Sequence, residues 1–200
     1  MTILESSTNP TYAQSPAIAA TKHWLENAVI GLNLCPFAKA VHVKKQIRYA
    51  LSDANTEEAL REDLIAELQA LKSANATDVD TTLLIHPYVL NDFFDYNEFL
   101  AIADTTLDEL KLEGEFQIAS FHPQYQFADA TADDITNYTN RSPYPVLHLL
   151  REASIDRATA AFPDASDIFN ANMETMRKLG RDGWSALLAS SPHFVDRSTN

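Results

Sequence analysis

The sequence predicts an α/β fold in which helices flank a small, mostly parallel sheet of about three strands. Three observations support it: short apolar segments typical of strands, amphipathic helical patterns between them, and an order in which single helices join successive strands. Strands joined in this way are normally parallel. Because the first predicted strand has one polar face, an α+β fold with an antiparallel edge is the alternative.

The first half of the chain contains two predicted helices and two predicted strands. A serine followed by a proline starts a helix at residues 15–16, and Pro36 ends it. Alternation over residues 41–51 predicts a strand with one polar face, and leucines at helical spacing predict a helix over residues 55–74. The short run at residues 81–86 (TTLLIH) shows no alternation, as expected of a strand covered on both faces.

The second half of the chain is predicted to be mainly helical. A helix over residues 92–113 precedes a strand over residues 115–122. After an irregular segment, another helix is predicted to begin at Pro143 or Pro145, and a further helix covers residues 166–179. The helix after the irregular segment has a predicted apolar stripe of Val146, Leu149, Leu150 and Ala153.

Charge and composition limit the function classes. Residues 15–190 are predicted to form one globular domain, between a disordered tail at residues 1–14 and a polar tail at residues 191–200. The net charge is −13, and such a field repels nucleic acid and anionic lipid. No apolar run approaches the roughly 18 residues that span a bilayer, and the first residues lack the features of a secretory signal. We expect a cytoplasmic protein that binds neither nucleic acid nor membranes, of unknown oligomeric state.

The common cofactor motifs are missing from the sequence. Only four glycines occur, so there is no glycine-rich phosphate-binding loop. The one cysteine, Cys35, excludes an internal disulfide and a zinc or redox CxxC motif. Cys35 is either a small buried apolar side chain, a nucleophile paired with a histidine, or a haem ligand in its Cys-Pro dipeptide. The cofactor is therefore unknown, and no metal site is predicted.

Two His-Pro dipeptides suggest where a site lies. His86-Pro87 and His122-Pro123 each end a predicted strand, because proline has no N–H to continue the pairing. If the two strands are parallel, both histidines lie at the same carboxyl edge of the sheet, where open α/β sheets bind ligands. The alternative is that each imidazole only bonds a backbone carbonyl at the end of its strand.

The irregular segment that follows contributes further candidates. Asn140 and Arg141 precede a predicted helix N-terminus, where a guanidinium and free N–H groups suit a carboxylate or phosphate. Arg141 could instead brace the loop by bonding carbonyls or Asp134. His148, Arg151 and Glu152 share one face of the predicted helix, as a solvated ion-paired face or as a wall of the site.

The chain resembles a bacterial family of unknown function known as DUF 1415. Three stretches carry the resemblance: 31–38 (GLNLCPFA), 121–127 (FHPxYxF) and 140–152 (NRSPYPxxHLLRE). It extends from about residue 24 to residue 179 and implies no activity, cofactor or catalytic residue.

Three functional hypotheses remain open. The first is a small-molecule enzyme acting on an anionic substrate, and the second is a module that binds a ligand or protein through the loop at residues 121–145. The third is a metal- or haem-dependent redox protein. For the enzyme, the predicted catalytic residues are His122 and Cys35, and the predicted substrate-binding residues are His86, Tyr125, Asn140, Arg141, His148 and Arg151.

Overall fold

The computed structural model describes residues 15–160 and 165–189. The helices and strands in chain order are α1 (Pro16–Trp24), a π-helix (Leu25–Ile30), α2 (Ala38–Val43), β1 (Ile47–Leu51), α3 (Glu57–Ser73), β2 (Thr81–Ile85), α4 (Phe93–Glu109), β3 (Phe116–Phe121), a 3₁₀-helix (Ile135–Thr139), β4 (Val146–Arg151), α5 (Glu152–Thr159) and α6 (Ala165–Ala189). The tails predicted at residues 1–14 and 191–200 lie outside the described residues.

The sheet is mixed and has four strands in the order β1-β2-β4-β3. β1 pairs parallel with β2, whereas β4 lies between β2 and β3 and runs antiparallel to both. The fold is therefore α+β. The prediction of about three mostly parallel strands is wrong, and the antiparallel alternative fits, since the edge strand β3 pairs antiparallel with β4.

The central strand β4 occupies residues predicted as a helix. The predicted helix that starts near Pro145 is wrong, because Val146–Arg151 is extended and pairs on both sides. A short apolar run suits a strand covered on both faces as well as a buried helix, so its periodicity does not decide between them. Residues 146–151 form a strand because they pair with two neighbouring strands. Helix α5 begins only at Glu152.

The predicted strand over residues 41–51 is too long at its start. Residues up to Val43 form the end of α2, and Lys45 has a left-handed backbone with φ 59° before β1 begins at Ile47. The predicted helix over residues 92–113 is present as α4, and its N-cap Asp92 accepts hydrogen bonds from two backbone N–H groups. Gly180, with φ 65°, interrupts α6 near the position where a helix end was predicted.

The two faces of the sheet differ in how completely they are covered. Helices α3 and α4 cover the first face, where the sheet contributes Ala50, Leu84, Phe116, Leu147 and Leu149, all buried. Helix α1, the π-helix and α6 lie on the second face. Several side chains of the sheet are only half-buried there: Ile47, Tyr49, Leu51, Ala119, Phe121, His148 and Leu150. The second face is the more accessible one.

In the part of the chain that the structure describes, no helix combines the length and apolar character needed to cross a bilayer.

Candidate functional site

His86 and His122 lie at the same edge of the sheet. Each follows the last residue of its strand, and β2 and β3 run in the same direction because both are antiparallel to β4. Both imidazoles are fully buried. The ring of Tyr96 from α4 packs against both, with centroid distances of 5.7 Å to His86 and 5.0 Å to His122. The strand ends and α4 thus build one compact aromatic cluster.

The two imidazoles hold the loop between β2 and α4. The Nδ1 atom of His122 accepts a hydrogen bond from the backbone N–H of Gln124 at 3.0 Å. Its Nε2 atom must therefore carry the proton that is donated to the carbonyl oxygen of Leu90 at 3.2 Å. In the same way, Nδ1 of His86 donates to the carbonyl oxygen of Val89 at 3.1 Å. The two histidines thus bond adjacent carbonyls of the loop between β2 and α4. Leu90 in this loop has a left-handed backbone with φ 57°.

These bonds use both ring nitrogens of His122. Since neither nitrogen is available to a substrate, its geometry favours a structural role over the predicted acid–base role. His86 differs, because its Nε2 atom is buried and has no hydrogen-bond partner in the structure. Burial lowers the pKa of both imidazoles to about 4, so both are neutral at neutral pH. The nearby His122 also lowers the pKa of His86.

Arg141 braces the irregular loop from inside. Its guanidinium donates to the carbonyl oxygens of Tyr125 at 3.2 Å and Ala132 at 2.7 Å, and it lies 4.3 Å from the ring centroid of Tyr138. Only 8% of the residue is exposed. Asn140 joins this loop to β3, because its carbonyl oxygen accepts a hydrogen bond from the backbone N–H of His122 at 3.3 Å. Of the two roles predicted for Arg141, the geometry favours the brace.

Arg151 caps a helix instead of facing the site. It lies in β4, and its guanidinium donates to carbonyl oxygens of Leu71 and Ala74 at the C-terminus of α3. Carbonyls at a helix C-terminus favour a cation. The face that His148 and Arg151 share in a helix does not form, because alternate residues of a strand point to one side and residues three apart point to opposite sides.

His148 lies on the second face of the sheet with one nitrogen fixed. The hydroxyl of Thr81 lies 2.6 Å from the carbonyl oxygen of Leu149 and 2.6 Å from Nε2 of His148. A carbonyl only accepts, so the single hydroxyl proton is donated to Leu149. Nε2 of His148 must then donate to Thr81, and the lone pair lies on Nδ1. This Nδ1 atom has no hydrogen-bond partner among residues 15–160 and 165–189, and it is not among the fully buried polar atoms that lack a partner.

The surroundings of His148 form a row across the sheet. Strand pairing places Tyr49, Leu83, His148 and Ala119 next to one another in that order. Ala119 has the smallest side chain in this row. The ring of Phe121 lies 6.1 Å from that of His148. We call the half-buried members of this area, Tyr49, Ala119, Phe121 and His148, the open face.

Charge on the open face comes from α1 and the π-helix. The Nζ atom of Lys22 lies 5.0 Å from the ring centroid of Tyr49. Burial, together with a smaller effect of the carboxylate of Glu26, raises the pKa of Tyr49 to about 12. Burial also lowers the pKa of His148 to about 4, so this histidine is a neutral hydrogen-bond acceptor at neutral pH.

Cys35 lies on the same side of the sheet as His148. It is half-buried in the turn after the π-helix and packs against the core cluster that also contacts Tyr49 and Phe121. His122 instead packs against Phe93 and Tyr96 of α4, on the other side. No hydrogen bond joins the two side chains predicted to be catalytic.

Sequence reasoning missed Lys22, Tyr49, Thr81 and Ala119. The contact that fixes His148 joins residues 67 positions apart, and no local pattern shows it. The run VLHLLR, which follows two prolines and precedes a helix, could have indicated this environment. If the run is assigned as a strand, its histidine lies in the middle of the sheet.

Among the residues that the structure describes, no group of three or more His, Cys, Asp or Glu side chains could hold a metal ion. By its fold and by the open face, the molecule is an α+β protein with a half-buried histidine on a mixed sheet.

The model of one family, described as "Protein of unknown function (DUF1415)", matches residues 16–186. The chain belongs to this family, as the resemblance predicted. No curated protein and no solved structure matches the chain.

Proposed function

We propose that this protein is a small-molecule enzyme that binds an anionic substrate on the open face and uses His148 as its acid–base group. One observation carries the proposal. The Thr81 hydroxyl is committed to the carbonyl of Leu149 and orients His148 so that the Nδ1 lone pair is left for a ligand. An imidazole oriented in this way by a hydrogen bond on its other nitrogen is the usual arrangement for acid–base chemistry.

The anion and the imidazole act together. A carboxylate or phosphate beside Nδ1 favours the protonated imidazole, because opposite charges attract strongly where water is partly excluded. Substrate binding therefore brings a proton from solvent onto Nδ1, which then donates a charge-assisted hydrogen bond to the anion. The same proton is available for transfer to the substrate.

Lys22 takes the anion-binding role that the sequence suggested for Arg141. The guanidinium of Arg141 already donates to two backbone carbonyls, whereas Nζ of Lys22 lies above Tyr49 at one end of the row. A nucleophilic role for Cys35 is a further part of the proposal, since the thiol lies on the same side of the sheet. Cys35→Ser separates this role from the role of His148.

Calorimetric titration of the purified protein with mono- and dicarboxylates and phosphate monoesters, in two buffers of different ionisation enthalpy, tests the proposal. We expect uptake of about one proton on binding and a loss of affinity of up to about tenfold per pH unit as pH rises between about 4 and the pKa of the complex. His148→Gln should abolish the proton uptake and weaken binding. Arg61→Gln, which changes a charged side chain of α3 at the first face of the sheet, is the control.

Two outcomes contradict the proposal. Anion binding that His148→Gln leaves unchanged would place the site elsewhere. If compounds bind but NMR detects no conversion of any of them over a day, the protein is a binding protein instead of an enzyme.

A further inference from the structure

Five aromatic rings form a connected surface near the edge that holds His86 and His122. Phe93 lies 6.4 Å from Phe94 and 5.2 Å from Tyr125, measured between ring centroids. The series continues from Tyr125 to Phe127 at 5.1 Å and from Phe127 to Phe169 of α6 at 6.0 Å. We call these five rings the aromatic ridge. It joins α4, the loop after β3 and α6.

The two ends of the aromatic ridge are exposed to a degree that is unusual for phenylalanine. Phe94 is 75% exposed and Phe169 is 48% exposed. The three rings between them are half-buried, so they support the exposed pair and remain partly accessible. Contiguous exposed apolar surface is uncommon on soluble proteins and marks sites of interaction. Aromatic side chains with one supported face are frequent anchors of such sites.

The aromatic ridge is held rigidly at the α4 end. The loop before α4 is pinned by hydrogen bonds from His86 to Val89 and from His122 to Leu90. Asp92 caps the helix through the backbone N–H groups of Phe94 and Asp95. The exposure of Phe94 therefore belongs to an ordered surface, and a rigid surface loses little conformational entropy when a partner binds.

Acidic side chains surround the aromatic ridge. Exposed carboxylates of Asp92, Asp95 and Glu98 lie on both sides of Phe94 along the chain. Asp129 follows Phe127 in the loop and is also exposed, whereas the exposed Asp133 pairs with Arg181 of α6 at 3.9 Å. The sequence from residue 88 to residue 132 contains a single lysine, Lys111, and no arginine. A partner complementary to this surface is therefore positively charged.

We propose that the aromatic ridge is a docking surface for a cationic segment of another protein, in which arginine or lysine alternates with apolar side chains. The apolar side chains pack on Phe94 and Phe169. Cationic side chains lie over the partly exposed rings and pair with the surrounding carboxylates. The surface is separate from the open face and does not depend on the enzymatic proposal.

Three synthetic peptides test the docking surface. All carry the same leucine and phenylalanine pattern, and the intervening positions are arginine, serine or glutamate. Fluorescence anisotropy with the full-length protein should show binding of the arginine peptide at least about tenfold tighter than that of the serine peptide, and no binding of the glutamate peptide. Phe94→Ser and Phe169→Ser should each weaken the arginine peptide at least about tenfold.

Val43→Ser is the matched control, because Val43 is 68% exposed but lies in α2 beside lysines. It should leave peptide binding unchanged. Equal affinity for all three peptides, or binding that the Phe94 and Phe169 variants retain, would overturn the proposal. So would concentration-dependent self-association that Phe94→Ser abolishes, since the surface would then join copies of this chain.

Discussion

Two histidine environments at the sheet show how the same side chain serves structure in one place and suits chemistry in another. His122 bonds backbone groups with both ring nitrogens and is sealed under α4. His148 is fixed through one nitrogen only and lies half-buried on the open face. Burial lowers the pKa of both to about 4, so pKa does not distinguish them. The number of ring nitrogens that form hydrogen bonds distinguishes the two histidines.

The largest expected effect is a loss of stability in acid. The pKa values of His86, His122 and His148 are lowered to about 4, below the usual 6.5. Between these values the unfolded state binds the protons and the folded state does not. The contribution of these histidines to the free energy of unfolding is therefore fully present above about pH 6.5. It falls as pH drops towards 4, by up to about 4 kcal/mol per pH unit for the three groups together.

Urea unfolding between pH 4 and pH 8 measures this slope. His148→Gln should remove about one proton of the pH dependence. Stability that stays constant from pH 7 to pH 4.5 would contradict the buried neutral state of these histidines.

The second effect compares the two faces of the sheet. Leu147→Ala removes a fully buried side chain from the first face, and we expect a loss of about 3 kcal/mol in the free energy of unfolding. Leu150→Ala, on the same strand but half-buried on the second face, should cost about 1 kcal/mol. Equal losses in urea unfolding would show that the second face is as fully packed as the first.

The third effect separates the two histidines. His122→Ala removes the buried hydrogen bonds that the ring makes with the N–H of Gln124 and the carbonyl of Leu90, so we expect a loss of about 2–3 kcal/mol. His148→Ala removes one hydrogen bond, to Thr81, on the more accessible face. It should lower the free energy of unfolding by about 1 kcal/mol or less. Hydrogen exchange should also show faster opening of the loop before α4 in His122→Ala alone. The reverse order of losses would contradict the assigned roles.

The sequence predicted the common edge of His86 and His122 correctly, because a proline ends each strand and an intervening helix allows a parallel direction. It predicted the loop but left open whether Arg141 binds an anion or braces the loop, since the carbonyls that Arg141 bonds are set by the folded path of the chain. It also missed β4, whose apolar run suits a helix or a strand. With β4 misassigned, the environment of His148 could not be predicted.

Long-range ¹H–¹⁵N NMR of the histidine rings at neutral pH tests the role of His148 most directly. We predict that His148 carries its proton on Nε2, and that adding a carboxylate or phosphate ligand shifts its Nδ1 resonance towards the protonated position. His86 and His122 should stay unchanged in the same titration. A proton on Nδ1 of His148, or a ligand-dependent shift at His122 with none at His148, would contradict this role.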